Sequence, residues 1–301
     1  MIPPAESVQE GFISTADGVR LFFRQVGSGP SAVIIPNGFH LFDDFKHFAG
    51  RRKLIFYDVR NRGFSDTVAD DARLERGIHN DVEDLDAVRR HFGIERINVL
   101  GHSYIGLMVG LYAVKHPAAV NRALLIGPMQ PNAGKQYPAH LTGGDDTLAE
   151  VLSKLAQMQK EGPPADPVQA CKNFWAVLRK IYVTNPADAD KIKWDRCELP
   201  NERNSLKYFS GKILPSIQKL HFSAEDFTGM KAPVLIIHGT RDRSSPYGGG
   251  RDWALMFPDA RLLTVDNAAH APWIEAPSPV FEAIESFLDG KWPECAEKLT
   301  P

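Results

Sequence analysis

Apolar residues fall along the chain in two rhythms. Six short runs are apolar at nearly every position: SAVIIPNG (31–38), KLIFYDVR (53–60), INVLGHS (97–103), RALLIGP (122–128), APVLIIHG (232–239) and ARLLTVDN (260–267). Runs of this kind predict strands buried on both faces, as in a parallel sheet covered by helices. An earlier run, VRLFFRQV (19–26), alternates and predicts a half-exposed edge strand of a hairpin. Between the runs the period changes to that of a helix. Ile78, Val82, Leu85, Val88 and Phe92 form one stripe, and Val280, Phe281, Ile284, Phe287 and Leu288 form another. The segment YIGLMVGLYAVKHP is apolar nearly all round, which predicts a central buried helix that stops at Pro117. The pattern is that of an α/β protein with a mostly parallel sheet flanked by helices.

One segment breaks this alternation. From about Gln130 to about Gly229 no run reads as a strand, while Leu148, Val151, Leu152 and Leu155, then Phe174, Trp175, Leu178, Ile181 and Tyr182, recur at helical spacing. Pro163, Pro164, Pro186 and Pro200 punctuate the intervals. We read residues 130–229 as a helical insertion that divides a core domain into 1–129 and 230–301. Leaving a parallel sheet between two strands, it would emerge at one end of the sheet and roof a crevice there.

Composition narrows the class of partner. The chain has 301 residues, 43% hydrophobic and 24% charged, with a formal net charge of -2. That balance offers no broad electrostatic footprint for nucleic acid or an anionic membrane surface, so a small molecule is the expected partner. No apolar run approaches the roughly 18 residues of a membrane span, and the opening MIPPAESVQEG has neither a basic nor an apolar signal region. A cytoplasmic protein is expected. Cys171, Cys197 and Cys295 are too few and scattered for a disulfide framework, and buried or idle thiols are expected.

The candidate chemistry begins at Ser103. It follows a strand run and opens a helix, so its hydroxyl should stand at the carboxyl edge of the sheet, facing the free N–H groups of the helix start. Gly101 relieves crowding in the sharp turn, an arrangement of the nucleophile-elbow kind. A serine nucleophile needs a base, and the base an orienting acid. Asp242 follows the strand run APVLIIHG, and His270 follows ARLLTVDN. The order Ser, Asp, His, each after a separate strand, allows all three to meet at one edge of the sheet.

In these features the chain resembles the α/β-hydrolase superfamily over essentially its whole length. DVRNRGFSD (58–66) is similar to that superfamily's D-x-R-x-x-G-x-S turn, IIPNGFH sits where its oxyanion loop lies, NAAHAPWIEAP is similar to its catalytic-histidine segment, and the insertion occupies the position of its cap. The resemblance implies Ser103 as nucleophile, His270 as general base and acid, Asp242 as orienting acid, and the backbone N–H groups of Phe39 and Tyr104 as the oxyanion hole. It implies no metal or organic cofactor. Two residues depart from the pattern: Ile105 stands where a small residue is common, and Asn37 replaces the usual histidine before Gly38. Asp58, Arg60 and Ser65 are expected to be hydrogen-bonding residues of the core turn.

Other residues bear on the substrate. His102, Phe39, Tyr104 and Trp273 are candidates to line the pocket. Asp195, Glu198 and Glu202, beside Trp194, form an acidic cluster in the insertion. A cluster of that kind would bind a substrate ammonium group, as in the proline-iminopeptidase branch that the chain resembles; a solvated turn paired with Arg196 and Arg203 is the plainer expectation. PYGGGRDW lacks the ending of a phosphate-binding loop, and His40 and His47 have no third partner for a metal. The expectation is a serine hydrolase of small or medium carboxylic esters acting through an acyl-enzyme, with a proline-iminopeptidase-like aminopeptidase as the alternative. A carbon–carbon bond hydrolase, a perhydrolase or a non-catalytic hydrolase-like receptor is the remaining possibility.

Overall fold

A computed structural model describes residues 7–300, so the part of the N-terminal reading that rests on residues 1–6 lies outside the described residues. The strands are β1 (Gln9–Ser14), β2 (Arg20–Val26), β3 (Ser31–Pro36), β4 (Arg52–Tyr57), β5 (Ile97–His102), β6 (Val120–Ile126), β7 (Val234–Gly239) and β8 (Ala260–Val265). They form one eight-stranded sheet in the order β1-β2-β4-β3-β5-β6-β7-β8. β1 and β2 pair antiparallel, β2 runs antiparallel to β4, and every other pairing is parallel. The helices are α1 (Gly38–Phe45), α2 (Ile78–His91), α3 (Tyr104–Lys115), α4 (Asp146–Glu161), α5 (Pro167–Leu178), α6 (Pro200–Tyr208), α7 (Leu214–Ile217), α8 (Tyr247–Met256), α9 (Pro272–Glu275) and α10 (Pro277–Leu288).

Successive strand residues feed opposite faces, as a period of two requires. Ile34, Ile55 and Val99 join one core with Val82 and Leu85 of α2, Leu107 of α3 and Trp253 of α8. Ile35, Phe56 and Leu100 join the other, with Leu41 and Phe45 of α1 and Ile284 and Phe287 of α10. Helices therefore cover both faces, and β5 is buried at every position. The sheet aligns the carboxyl ends of its parallel strands, so the loops after β3, β5, β6, β7 and β8 share one edge.

Between β6 and β7, α4 to α7 occur and no strand does among the described residues. α4 packs on α5 and α5 on α6, and a π turn, Phe209–Ile213, joins α6 to α7. This segment is clasped to the core loops by specific bonds. Arg243 donates to Asp145 Oδ1 at 2.7 Å and to the Val183 carbonyl at 2.6 Å. Glu275 accepts from the backbone N–H groups of Thr184 and Ala269, at 2.6 and 2.7 Å.

The cysteines correct the sequence-based expectation. Cys171 on α5 and Cys197 form a disulfide, with an S–S distance of 2.05 Å, because α5 packs against the chain around residues 194–197 and brings both side chains into one buried contact. Cys295 is a free, exposed thiol.

Candidate active site

Ser103 lies at the junction of β5 and α3 with φ 60° and ψ -129°, a left-handed conformation rarely held by a residue with a side chain. The turn closes only because residue 101 is glycine: a Cβ there would stand 2.7 Å from the Ile105 carbonyl oxygen. Ile105, in the first turn of α3, is buried in the core and does not line the cavity that Ser103 lines. Tyr104 is the first residue of α3, so its N–H has no acceptor one turn back.

Asp242 and His270 stand in the loops after β7 and β8, both buried. His270 Nδ1 lies 2.7 Å from Asp242 Oδ2. A carboxylate accepts, so Nδ1 carries the proton and Nε2 is left as the acceptor. The other carboxylate oxygen, Oδ1, accepts from the backbone N–H groups of Ser244 and Ser245, each at 2.8 Å. A second imidazole adjoins this carboxylate: His238 Nε2 donates to the Ser245 carbonyl at 2.9 Å and lies 3.2 Å from Asp242 Oδ2. Burial would raise the Asp242 pKa, but the charge and hydrogen bonds of His270 and His238 outweigh it and hold the group well below the usual carboxylate range. Gly127, with φ 48°, sits beneath the pair; a Cβ there would come within 3.2 Å of both Asp242 Oδ2 and His270 Nδ1.

A cavity of about 390 Å³ has Ser103, Tyr104, His102 and His270 on its wall. A strand-end serine at a strained turn thus has a buried aspartate two strands along and a histidine three strands along, and the family follows from sequence. Residues 35–277 match the model of the alpha/beta hydrolase fold. This chain belongs to the alpha/beta hydrolase family. It is 24% identical over 264 residues to a 2-hydroxymuconate semialdehyde hydrolase of Pseudomonas putida, covering 87% of this chain and 84% of that one. It is also 24% identical over 286 residues to a proline iminopeptidase of Pestalotiopsis fici, covering 91% and 97%. Among solved structures it is similar to an esterase from Exiguobacterium antarcticum, with TM-score 0.68, 15% identity and coverage of 94% and 100%. A 2-hydroxy-6-oxo-6-phenylhexa-2,4-dienoate hydrolase from Rhodococcus sp. strain RHA1 gives TM-score 0.71, 17% identity and coverage of 93% and 98%.

The remaining sequence-derived residues of this hydrolase divide sharply. His102 lines the cavity, and its Nε2 donates to the His270 carbonyl at 3.0 Å. Burial, with His270 beside it, holds its pKa well below the usual imidazole range, which keeps it a neutral donor. Trp194 also lines the cavity. Trp273 does not: it packs behind His102, with ring centroids 5.0 Å apart, and donates Nε1–H to Asp44 Oδ2 at 3.1 Å. Phe39 is corrected in two respects. Its ring lies beneath the Arg62 guanidinium rather than on the cavity wall, and its N–H donates to Asp58 Oδ1 at 2.8 Å instead of standing free.

The acidic cluster does not form. Asp195 faces Arg179 at 3.8 Å, and Glu198 pairs with Arg196 away from the cavity. Glu202 is fully buried, bound by both arms of Arg62 at 3.1 Å and by the Gly63 N–H at 2.8 Å. Sequence showed the acids but not Arg62, which lies far away in the chain and joins them only through the packing of α6 on the β4 loop. His40 and His47 are likewise apart, His40 on the cavity wall and His47 against Phe48 and Phe281.

Sequence reasoning also missed much of the wall: Asn37, His40, Arg62, Phe174, Trp175 and Tyr182. Asn37 is in the left-handed region, φ 64°, which asparagine tolerates better than most residues. Its Nδ2 donates to His40 Nδ1 at 3.0 Å, and its Oδ1 is buried without a hydrogen-bond partner. The helical stripe at 168–183 signalled Phe174, Trp175 and Tyr182 as core, and nothing in its period separates core from pocket. The core turn is as expected: Arg60 holds Asp84 at 2.7 and 2.8 Å, and Ser65 donates to the Asp58 carbonyl at 2.5 Å.

Proposed function

We propose that this chain is a serine hydrolase of carboxylic esters, with Ser103 as nucleophile. The observation that carries the reading is that His270, its Nδ1 fixed on Asp242, lines the same cavity as Ser103. Ser103 Oγ attacks the acyl carbonyl while His270 Nε2 takes its proton. The protonated imidazole returns it to the leaving alcohol, and water then releases the acyl group by the same route. The Tyr104 N–H is the first oxyanion donor. The Phe39 N–H serves as the second only when its bond to Asp58 is released or shared, and one such donor is worth about 3 kcal/mol in the transition state. The segment between β6 and β7 acts as the cap, since Phe174, Trp175 and Tyr182 line the cavity that Ser103 lines.

An ester is favoured over a peptide with a free N-terminus because no aspartate or glutamate lines the cavity among the described residues. A carbon–carbon bond hydrolase is the second reading. It is favoured by the polar wall of Asn37, His40 and Arg62 and by the likeness to the semialdehyde hydrolase. A cytoplasmic location fits poorly with the Cys171–Cys197 bond, because cytosolic thiol buffers keep most cysteines reduced; no helix among the described residues is long and apolar enough to cross a membrane.

The test is turnover of p-nitrophenyl butyrate, proline p-nitroanilide and a vinylogous 1,5-diketone in parallel, with Ser103→Ala as the blank. Ester turnover with loss on the order of a million-fold in Ser103→Ala is expected. Prolyl turnover would replace the ester reading with the aminopeptidase, and diketone turnover alone would replace it with carbon–carbon cleavage. A protein that hydrolyses nothing and resists a fluorophosphonate at Ser103 would be a receptor.

A further inference from the structure

The catalytic cavity does not end at its far wall. Leu155 on α4, Phe174 on α5 and Leu206 on α6 line it, and the same three residues line a second cavity of about 710 Å³. That second space lies between α4 and α5, bounded by Met158, Ala170 and the loop Gly162–Pro164. The seam is apolar on both sides. Leu206, which sits on it, is 49% exposed, a large apolar surface for a residue on the wall of a buried site. At its outer rim the cleft turns polar, with Gln159, Glu161 and Asn173.

We propose that the two spaces form one acyl-binding channel, in which the chain of the ester passes between Phe174 and Leu206 into the cleft between α4 and α5. This rests on the ester reading above and extends it: the substrate class is esters of acyl chains longer than butyrate. The inner cavity holds the carbonyl and first carbons against Ser103. The outer cleft takes the methylenes, whose transfer from water is the driving force, and its polar rim tolerates a chain end that reaches solvent. Each methylene buried raises kcat/KM by roughly fourfold while both walls remain in contact with it.

The experiment measures kcat/KM for p-nitrophenyl butyrate, octanoate and dodecanoate on the wild type and on Ala170→Trp, at a residue that lines the outer cleft and not the catalytic cavity, with melting temperatures as a folding control. Binding of butyrate and dodecanoate to Ser103→Ala is measured alongside by calorimetry. The channel predicts a rise from butyrate to dodecanoate in the wild type. In Ala170→Trp, butyrate turnover stays near its original value while dodecanoate turnover and binding fall at least tenfold. Met158→Trp narrows the same cleft from α4 and gives the same outcome should Ala170→Trp fold poorly. A wild-type optimum at butyrate, with both tryptophan variants unchanged on dodecanoate, overturns the channel. Dodecanoate binding that depends on residue 170 without any ester turnover would keep the channel and remove the ester reading.

Discussion

Two buried aspartates stand on either side of Ser103 along the sheet edge, Asp58 in the loop after β4 and Asp242 in the loop after β7, and their environments differ in what else adjoins each carboxylate. Both accept two backbone N–H groups: Phe39 and Phe64 at 2.8 and 2.9 Å for Asp58, Ser244 and Ser245 at 2.8 Å for Asp242. Yet burial pushes Asp58 up to about 7, whereas Asp242 is held far down. The backbone donors are matched, so they do not decide the sign. The two imidazoles at Asp242 do, because each directs a ring nitrogen to Oδ2 and so favours the ionised form, while near Asp58 the charge of Arg24 is opposed by that of Glu202. One carboxylate is thereby an anion at every working pH, suited to orient His270. The other, raised to about 7, holds the Phe39 N–H of the loop after β3.

The largest expected effect comes from abolishing the charge of the first. Asp242→Asn should lower kcat by about 10⁴-fold with the fold retained, because an amide presents an N–H to His270 and favours the wrong tautomer. Steady-state kinetics with far-ultraviolet dichroism as the folding control checks it; a loss below tenfold would mean that Asp242 is structural.

Asp58→Asn should act through the oxyanion loop, and so more weakly. Phe39 and Phe64 donate to different Asp58 oxygens, and the amide turns one of those acceptors into a donor, so the loop shifts and kcat should fall on the order of tenfold to a hundredfold with KM little changed. Stability adds an independent measure. Asp58 has a folded pKa raised above its unfolded value of 3.8, so its contribution is fully present below about pH 4 and is lost as pH rises to about 7. Urea unfolding at a series of pH values should show this decline, on the order of a few kcal/mol, in the wild type and not in Asp58→Asn. Asp242 has the opposite sign: its contribution is present above about pH 4 and is lost as pH falls toward its depressed folded value.

The contrast also marks what sequence can carry. The six apolar runs became β3 to β8 because a parallel strand buried on both faces needs an apolar residue at every position, a signal that survives without tertiary knowledge. The order of Ser103, Asp242 and His270 was legible for a related reason, since each follows such a run directly. β1 was not, because only Ile13 of its six residues is buried and no alternation results. α8 begins YGGGRDW, whose three glycines give no helical signal; they are there because a Cβ at 248, 249 or 250 would strike Tyr137, Gln130 or His238. Pairings across long separations left no local trace at all. Arg62 with Glu202, Cys171 with Cys197 and Asp58 with Phe39 each depend on which loops the sheet edge and the helical segment bring together. The fate of a charged or nucleophilic side chain was thus less legible than its existence.

The finest test concerns His238, the imidazole that Asp242 has and Asp58 lacks. Its Nδ1 is buried without a hydrogen-bond partner beside Gly250, so its one polar service is the Nε2–H shared between the Ser245 carbonyl and Asp242 Oδ2. His238→Phe keeps the ring volume and removes that donor, whereas His238→Gln supplies an amide donor in its place. If the second imidazole helps to set the sign, His238→Phe should lower kcat by a few-fold and move the acid limb of kcat/KM to higher pH, because a carboxylate with one donor fewer holds the His270 imidazolium more tightly. Gln should restore most of both. A variant that loses activity with an unmoved pH profile, and is not rescued by Gln, would make His238 a packing residue and leave His270 alone responsible for the difference between the two aspartates.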